Sequence, residues 1–291
     1  MGNTNSAIEQ SSLPDPNPTF DAGLPIVNES NEDAKKVRYI IPVHKNGATT
    51  DPNNFRPISL TFVMEVMERV FNSQLLCYLL KRDLITNHQH GFIKRKSVST
   101  NLLECLDDRT LNLEKKYITG VIYFDFKKAF DTVCHSKLLA KLVSYGICGN
   151  ALTWIEALLC GRSQSVRIGQ SISTPISVIS GVPQRSVFGP TLFLLFINDL
   201  VDIFSDLPVS LSLFADDLKL YEYTCYKVDA SHDDLQTAID RLIGWARLWQ
   251  LQIAIPKCFG FRIINPQWNW LTQLITSCTT FEILVFTMIT G

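Results

Sequence analysis

Three aspartates at the ends of two apolar runs could carry chemistry. Asp125 closes Tyr123-Phe124-Asp125, and Asp216 and Asp217 close Leu213-Phe214-Ala215-Asp216-Asp217. The preceding residues, 121–124 and 211–214, are apolar and β-prone and read as short buried strands. Uncompensated charge is costly at a buried strand end, so something cationic must balance these carboxylates. Carboxylates that share two divalent metals are the arrangement of phosphoryl and nucleotidyl transfer. An Asp-Asp pair alone is more often a turn or a helix cap. The second acidic strand end turns the reading toward a metal site.

The elements that must position these residues follow from periodicity. Residues 37–43 read as a strand, and 45–54 as a polar turn. Residues 60–80 have helical spacing, with Val66, Val70, Leu75 and Leu79 among the apolar positions. A second helix is expected over 101–112. Two more, over 136–145 and 150–159, are stopped by Gly146 and Gly161. Residues 164–168 and 176–179 read as the strands of a hairpin. An apolar helix over 190–203 opens with Pro190. Residues 233–250 are amphipathic, with Leu235, Ala238, Leu242 and Ala246 on one face. Strands mixed with helices, without regular βαβ alternation, predict an α+β fold.

Composition bounds the function. At 291 residues and 46% apolar, the chain can bury a sizeable core. Its formal net charge of −1 does not advertise a nucleic-acid binder. Residues 1–34 contain six acids and no Lys or Arg, however, so the rest of the chain is net basic. Clusters such as Lys81-Arg82, Lys94-Arg95-Lys96 and Lys127-Lys128 could meet phosphates, although any one alone reads as a solvated face. No two of the eight cysteines lie within four residues of each other, so zinc-ligand pair spacing is missing. Without a secretory signal, an intracellular protein of cytoplasm or nucleus, not a secreted one, is expected. No run of ~20 apolar residues spans a membrane, and no membrane partner is expected. Met1-Gly2-Asn3-Thr4-Asn5-Ser6 matches the loose myristoylation pattern. Residues 1–34 are expected to be a disordered lead-in, 35–264 a folded domain, and 265–291 an unassigned tail.

Further segments fall in a specific order. Lys45 and Asn54-Phe55-Arg56-Pro57-Ile58-Ser59-Leu60 precede the first acidic strand. Ser180-Gly181-Val182-Pro183-Gln184-Arg185 and Phe188-Gly189-Pro190 follow it, then Phe214-Ala215-Asp216-Asp217, then Lys257-Cys258. In this order the segments resemble the reverse transcriptase domain of non-LTR (LINE-like, jockey-type) retrotransposons, from about Arg38 to Cys258. The resemblance implies a right-hand polymerase: fingers and palm, an antiparallel palm sheet backed by helices, and a thumb that is missing or degenerate. It implies RNA-directed DNA polymerase activity, with an RNA template, a DNA primer and dNTPs as partners.

Site residues follow from the same resemblance. Asp125 and Asp216 would hold two Mg²⁺ ions, with Mn²⁺ as a substitute, and Asp217 would support them as the third catalytic carboxylate. Lys45 and Arg56 match finger positions that contact the incoming triphosphate, where a guanidinium offers a bidentate grip. Phe130 matches the position whose ring blocks a ribose 2′-hydroxyl by a clash. Gly181, Pro183 and Gln184 fall in the loop that positions template base and nucleotide. Lys257 matches a late palm lysine that assists proton delivery to pyrophosphate. Asp131 is expected to cap the helix that follows it.

The chain also departs from the family pattern. Arg185 stands where the family has glycine; if the backbone there needs φ > 0, arginine costs roughly 1 kcal/mol or more. Residues 253–256 read Ile-Ala-Ile-Pro where the family shows an asparagine. The match fades after Ile264 and no endonuclease segment precedes the palm, so a fragment of a mobile element is expected. The alternative is a catalytically impaired remnant that at most binds nucleic acid. RNA-dependent RNA polymerases share the palm but favour Gly-Asp-Asp and a small ribose gate, and Phe214-Ala215-Asp216-Asp217 and Phe130 argue against that class. An interaction protein with accidental motifs is disfavoured by five motifs in order.

Overall fold

A computed structural model describes residues 19–21, 38–59, 65–115, 117–225 and 233–263. The myristoylation motif, most of the 1–34 lead-in and the 265–291 tail lie outside the described residues. Along the chain come β1 (Arg38–His44), β2 (Phe55–Ser59), α1 (Glu65–Lys81), α2 (Val98–Glu114) and β3 (Tyr117–Phe124). Next are α3 (Ala129–Thr132), α4 (His135–Ser144), α5 (Gly149–Leu159), β4 (Ser163–Ile168), β5 (Ser171–Ile172) and β6 (Ile176–Ser177). The series ends with α6 (Gly189–Ile197), β7 (Val209–Phe214), β8 (Asp217–Cys225), α7 (Asp233–Trp249) and β9 (Phe259–Ile263). This is the mixed helix-and-sheet class expected.

Two sheets organise the described residues. The first runs in the order β7-β8-β3-β9, and every pairing in it is antiparallel. Of its two central strands, β3 reads as a largely apolar run, while β8 alternates apolar residues with Asp217, Lys219 and Glu222. Val121, Ile122, Phe124, Leu213, Leu218 and Leu220 are all buried. Helix α2 packs on β3 and β7, and α7 also packs on β7. The second sheet runs β2-β1-β4-β5, with β6 on β4, and joins β1 to β4 in parallel. Pro57 sits in β2 because that strand is an edge, where a missing N–H costs no ladder bond.

Helices α5 and α7 bury the apolar faces their period predicts, whereas α2 buries Asn101 and Cys105 and leaves Leu102, Leu103, Leu106 and Leu111 exposed. On α1 the buried face is Glu68, Phe71, Leu75 and Leu79, while Val66 and Val70 are exposed. Val66 lies about 2.5 turns before Leu75, hence on the opposite side of the helix. The apolar helix expected over 190–203 is α-helical to Ile197 and continues as a 3₁₀ segment, Asn198–Phe204. Asn198 explains the change of pitch: its amide accepts from Thr86 N–H at 2.9 Å and donates to the Leu84 carbonyl at 2.8 Å. These contacts pull the chain off the α ladder. Within the 1–34 segment, residues 19–21 are described. Phe20 bridges Ile147, is nearly buried, and packs its ring edge-on to Phe71 at 5.8 Å.

Candidate active site at the paired strand ends

Hairpin register brings the acidic ends together. Strands β7 and β8 pair down to Phe214↔Asp217, which leaves Ala215-Asp216 as a two-residue turn. Strand β3 pairs with β8 down to Phe124↔Leu218. One further step in that register puts Asp125 opposite Asp217. Like charges approach here because the apolar strands behind them fix the spacing, and the energetic cost shows in the proton affinities of Asp216 and Asp217. Burial pushes the Asp216 carboxyl above its ordinary pKa, and the nearby Asp217 and Asp125 carboxylates push the same way. Asp217 is likewise raised, by burial first and by Asp125 next.

Lys257 supplies the balancing charge. It ends a short 3₁₀ turn, Ile255–Lys257, just before β9, and its Nζ lies 2.5 Å from Asp125 Oδ2. Its pKa is raised, first by the hydrogen bond to Asp125 and then by the charges of all three aspartates. Asp125, Asp216, Asp217 and Lys257 are therefore one electrostatic unit. The donor set is hard carboxylate oxygen under like-charge repulsion, which fits a divalent cation of the Mg²⁺ type. Among the described residues no group of three or more His, Cys, Asp or Glu forms a ready-made metal cage. Mg²⁺ needs none, since it binds through one or two carboxylates and completes its shell with water and phosphate oxygens.

The loop 180–185 is stitched to the segment after Asp125. Gly181 N–H donates to Val133 O and Val182 N–H to Phe130 O, each at 2.8 Å. His135 Nε2 donates to Gly181 O at 2.9 Å. Gly181 has φ +88, and a Cβ there would sit 2.8 Å from the Asp131 carbonyl oxygen, so only glycine fits. Gln184 Nε2 donates to Asp131 Oδ1 at 2.7 Å. Asp131 thus lies inside α3 and holds Gln184; it does not cap α4, whose N-cap is Cys134 without a side-chain bond. Burial raises the Asp131 pKa, and the Gln184 bond works against that rise. Pro183 is buried at the foot of α6. Arg185 is exposed and has φ +62, the left-handed backbone that glycine would adopt without strain.

Phe130 is half-buried, with its ring stacked on Phe193 at a centroid distance of 4.3 Å. Phe92 meets it edge-on at 6.1 Å. Lys45 and Arg56 lie elsewhere in the fold: both are exposed, Arg56 on β2 and Lys45 just after β1. Neither enters the ion pair or the charge interactions of the carboxylate unit. The second sheet still reaches the loop, since Ile40, Pro57 and Gln164 line one cleft of about 340 Å³ with Gly181, Pro183 and Gln184.

Sequence reasoning missed the segment 88–92. It runs beside β7, with His90 N–H donating to Leu213 O and Leu213 N–H to His88 O, both at 2.9 Å. Its only sequence signal was Gly91 beside an aromatic, which is too short to read. A glycine is required there, because a Cβ would come within 2.3 Å of Ala215 N.

The candidate site is thus the end of an antiparallel sheet that carries paired carboxylates, flanked by a glycine-proline loop. The reverse transcriptase (RNA-dependent DNA polymerase) family profile matches residues 43–287, and the chain belongs to that family. The match extends past the last sequence motif at Lys257-Cys258 into the undescribed tail. The chain is 28% identical over 256 residues to a probable RNA-directed DNA polymerase from transposon BS of Drosophila melanogaster. It is 29% identical over 239 residues to the RNA-directed DNA polymerase from mobile element jockey of Drosophila funebris. These alignments cover 79% and 80% of the chain, which spans about a quarter (26%) of the length of each relative. Among solved structures, telomerase of Candida tropicalis in complex with a fragment of telomeric RNA superposes with a TM-score of 0.56 at 12% identity. That likeness covers 73% of this chain and 40% of the telomerase chain, and it speaks for the fold alone.

Proposed function

We propose that this chain is the fingers-and-palm part of an RNA-directed DNA polymerase of the non-LTR retrotransposon type. The observation that carries this reading is the convergence of Asp125, Asp216 and Asp217 with Lys257 in a chain of the reverse transcriptase family. The four-stranded antiparallel sheet is the palm, and the β2-β1-β4-β5 sheet belongs to the fingers. Asp125 and Asp216 would hold two Mg²⁺ ions, with Mn²⁺ as a substitute. Bound there, the ions would supply Lewis-acid stabilisation of the transferred phosphoryl group and a lowered pKa for the primer 3′-hydroxyl.

The protein's own groups do the rest. Asp217 keeps the local potential negative, so that cations concentrate there. Lys257 stays protonated because three carboxylates surround it, and it has a proton to give to the leaving pyrophosphate. The Gly181–Gln184 loop, fixed to α3, presents a rigid floor to the base pair being formed. The Phe130 ring, stacked on Phe193, would exclude a ribose 2′-hydroxyl by a clash. Lys45 and Arg56 reach the triphosphate from the exposed sheet.

The test is extension of a DNA primer on an RNA template with Mg²⁺, using deoxyribonucleotides and ribonucleotides in parallel. Templated addition of deoxyribonucleotides supports the reading; preferential addition of ribonucleotides overturns it. A second reading, nucleic-acid binding without turnover, is favoured by the strained backbone at Arg185. Salt-sensitive RNA binding without extension, restored to extension by Arg185→Gly, is its signature.

A further inference from the structure

The turn that carries Asp216 is held by a side chain that plays the part of a strand. Backbone pairing between segment 88–90 and β7 ends at Leu213. Beyond it, the Gln89 carboxamide takes over. Its Oε1 accepts from Ala215 N–H at 2.9 Å and from Gly91 N–H at 2.7 Å, and its Nε2 donates to Ala215 O at 3.2 Å. Both backbone groups of Ala215 are thus satisfied by one primary amide. Gln89 is 2% exposed and Ala215 6%, so water does not substitute for these bonds.

Ala215 needs such a clamp. It has φ +56, a left-handed backbone that a residue with a Cβ keeps only where its surroundings enforce it. Gly91 presses on the same peptide. Asn101 braces the strand one step back, donating to Ser212 Oγ at 2.5 Å and to Leu213 O at 3.3 Å. Lys219 Nζ holds Asn101 Oδ1 at 2.7 Å. Lys219 also acts by its charge on Asp217; through Gln89, Gly91 and Asn101 the set fixes the backbone from which Asp216 projects.

We infer that Gln89 is a positioning residue: its carboxamide holds the Ala215 peptide and so aims the Asp216 carboxylate. The inference deepens the nucleotidyl-transfer reading and rests on it for its catalytic consequence. Glutamate at this position would lose the donor to Ala215 O and add charge beside three acids. Leucine would leave the amides of Ala215 and Gly91 buried without acceptors. Asparagine keeps a carboxamide but lacks the reach by one methylene.

The experiment compares the parent with Gln89→Leu and Gln89→Asn. Three quantities are measured: primer extension against Mg²⁺ concentration, amide hydrogen exchange, and Mn²⁺ binding followed by its electron paramagnetic resonance signal. Turnover is expected to fall about 10- to 100-fold, with the KM for nucleotide within about twofold and a higher Mg²⁺ requirement. The Ala215 and Gly91 amides should exchange faster while Ile122 and Leu220 stay protected. A folded variant with the parent's turnover, Mg²⁺ dependence and Ala215 protection overturns the inference. If Gln89→Leu does not fold, Gln89→Asn decides by the same criteria. If the parent makes no product, the polymerase reading has failed instead. The clamp is then judged on exchange and Mn²⁺ binding: faster Ala215 exchange with weaker binding supports it, and no change in either overturns it.

Discussion

The two sheets treat charge in opposite ways. In β7-β8-β3-β9 the candidate groups are carboxylates at strand ends, backed by Val121, Ile122, Phe124, Leu213 and Leu218, all buried. In β2-β1-β4-β5 the candidate groups are cations, Lys45 and Arg56, on a sheet whose Ile41, Val43, Val166 and Ile168 remain exposed. Burial of the apolar neighbours and the Lys257 charge together hold the repelling carboxylates in place on this sheet. Cations that must meet an incoming polyphosphate need reach and mobility, which an exposed sheet allows. On the proposed function, one sheet is preset for chemistry and the other is arranged to receive substrate.

That contrast can be broken by substitution. The largest effect is expected on the buried side. Asp125→Asn should lower primer extension by about 10³-fold or more while the circular dichroism spectrum is kept. A loss no greater than that of Arg56→Ala would erase the distinction between the sheets. Phe130→Val should relax selection against ribonucleotides by about 10²-fold, read as the ratio of kcat/KM for the two sugars. On the exposed side, Arg56→Ala should raise the nucleotide KM about 10-fold with little change in kcat.

Two smaller effects sharpen the comparison through stability. The Asp216 carboxyl has a raised pKa in the fold, so the folded state binds the proton more tightly than the unfolded chain does. Ionised Asp216 therefore weakens the fold at pH 7, and this penalty fades as pH falls through the raised pKa. In metal-free buffer Asp216→Asn should melt higher than the parent at pH 7, and the gap should close on acidification. Added Mg²⁺ should raise the melting temperature of the parent more than that of the variant. Arg185→Gly should gain about 1 kcal/mol in denaturant unfolding, because φ +62 costs glycine nothing.

How much of this was legible depended on the range of each interaction. The carboxylates were readable because each closes an apolar run, and the runs are the very strands that pair. The loop 180–185 was readable by its glycine and proline, and the strain at Arg185 by the absence of glycine. Strand β2 was hidden by Pro57, which argues against a strand unless the strand is an edge. The exposed side of α1 was misjudged because Val66 and Val70 are apolar but half a turn from Leu75. Gln89 could not be found at all. Its partner Ala215 is 126 positions away, and a lone glutamine has no periodicity that predicts whose peptide it will hold. Buried Lys141 was equally silent: it meets Asp199 at 2.5 Å and the Trp249 ring at 3.6 Å, and burial lowers its pKa to about 8.

The most direct test of the central claim is DNA-primer extension on an RNA template with Mg²⁺ and dNTPs, by the parent and by Asp216→Asn at equal folded concentration. Templated extension by the parent that vanishes in the variant, with the fold intact, is the predicted result. Extension that survives Asp216→Asn near the parental rate would contradict the assignment of chemistry to the paired strand ends.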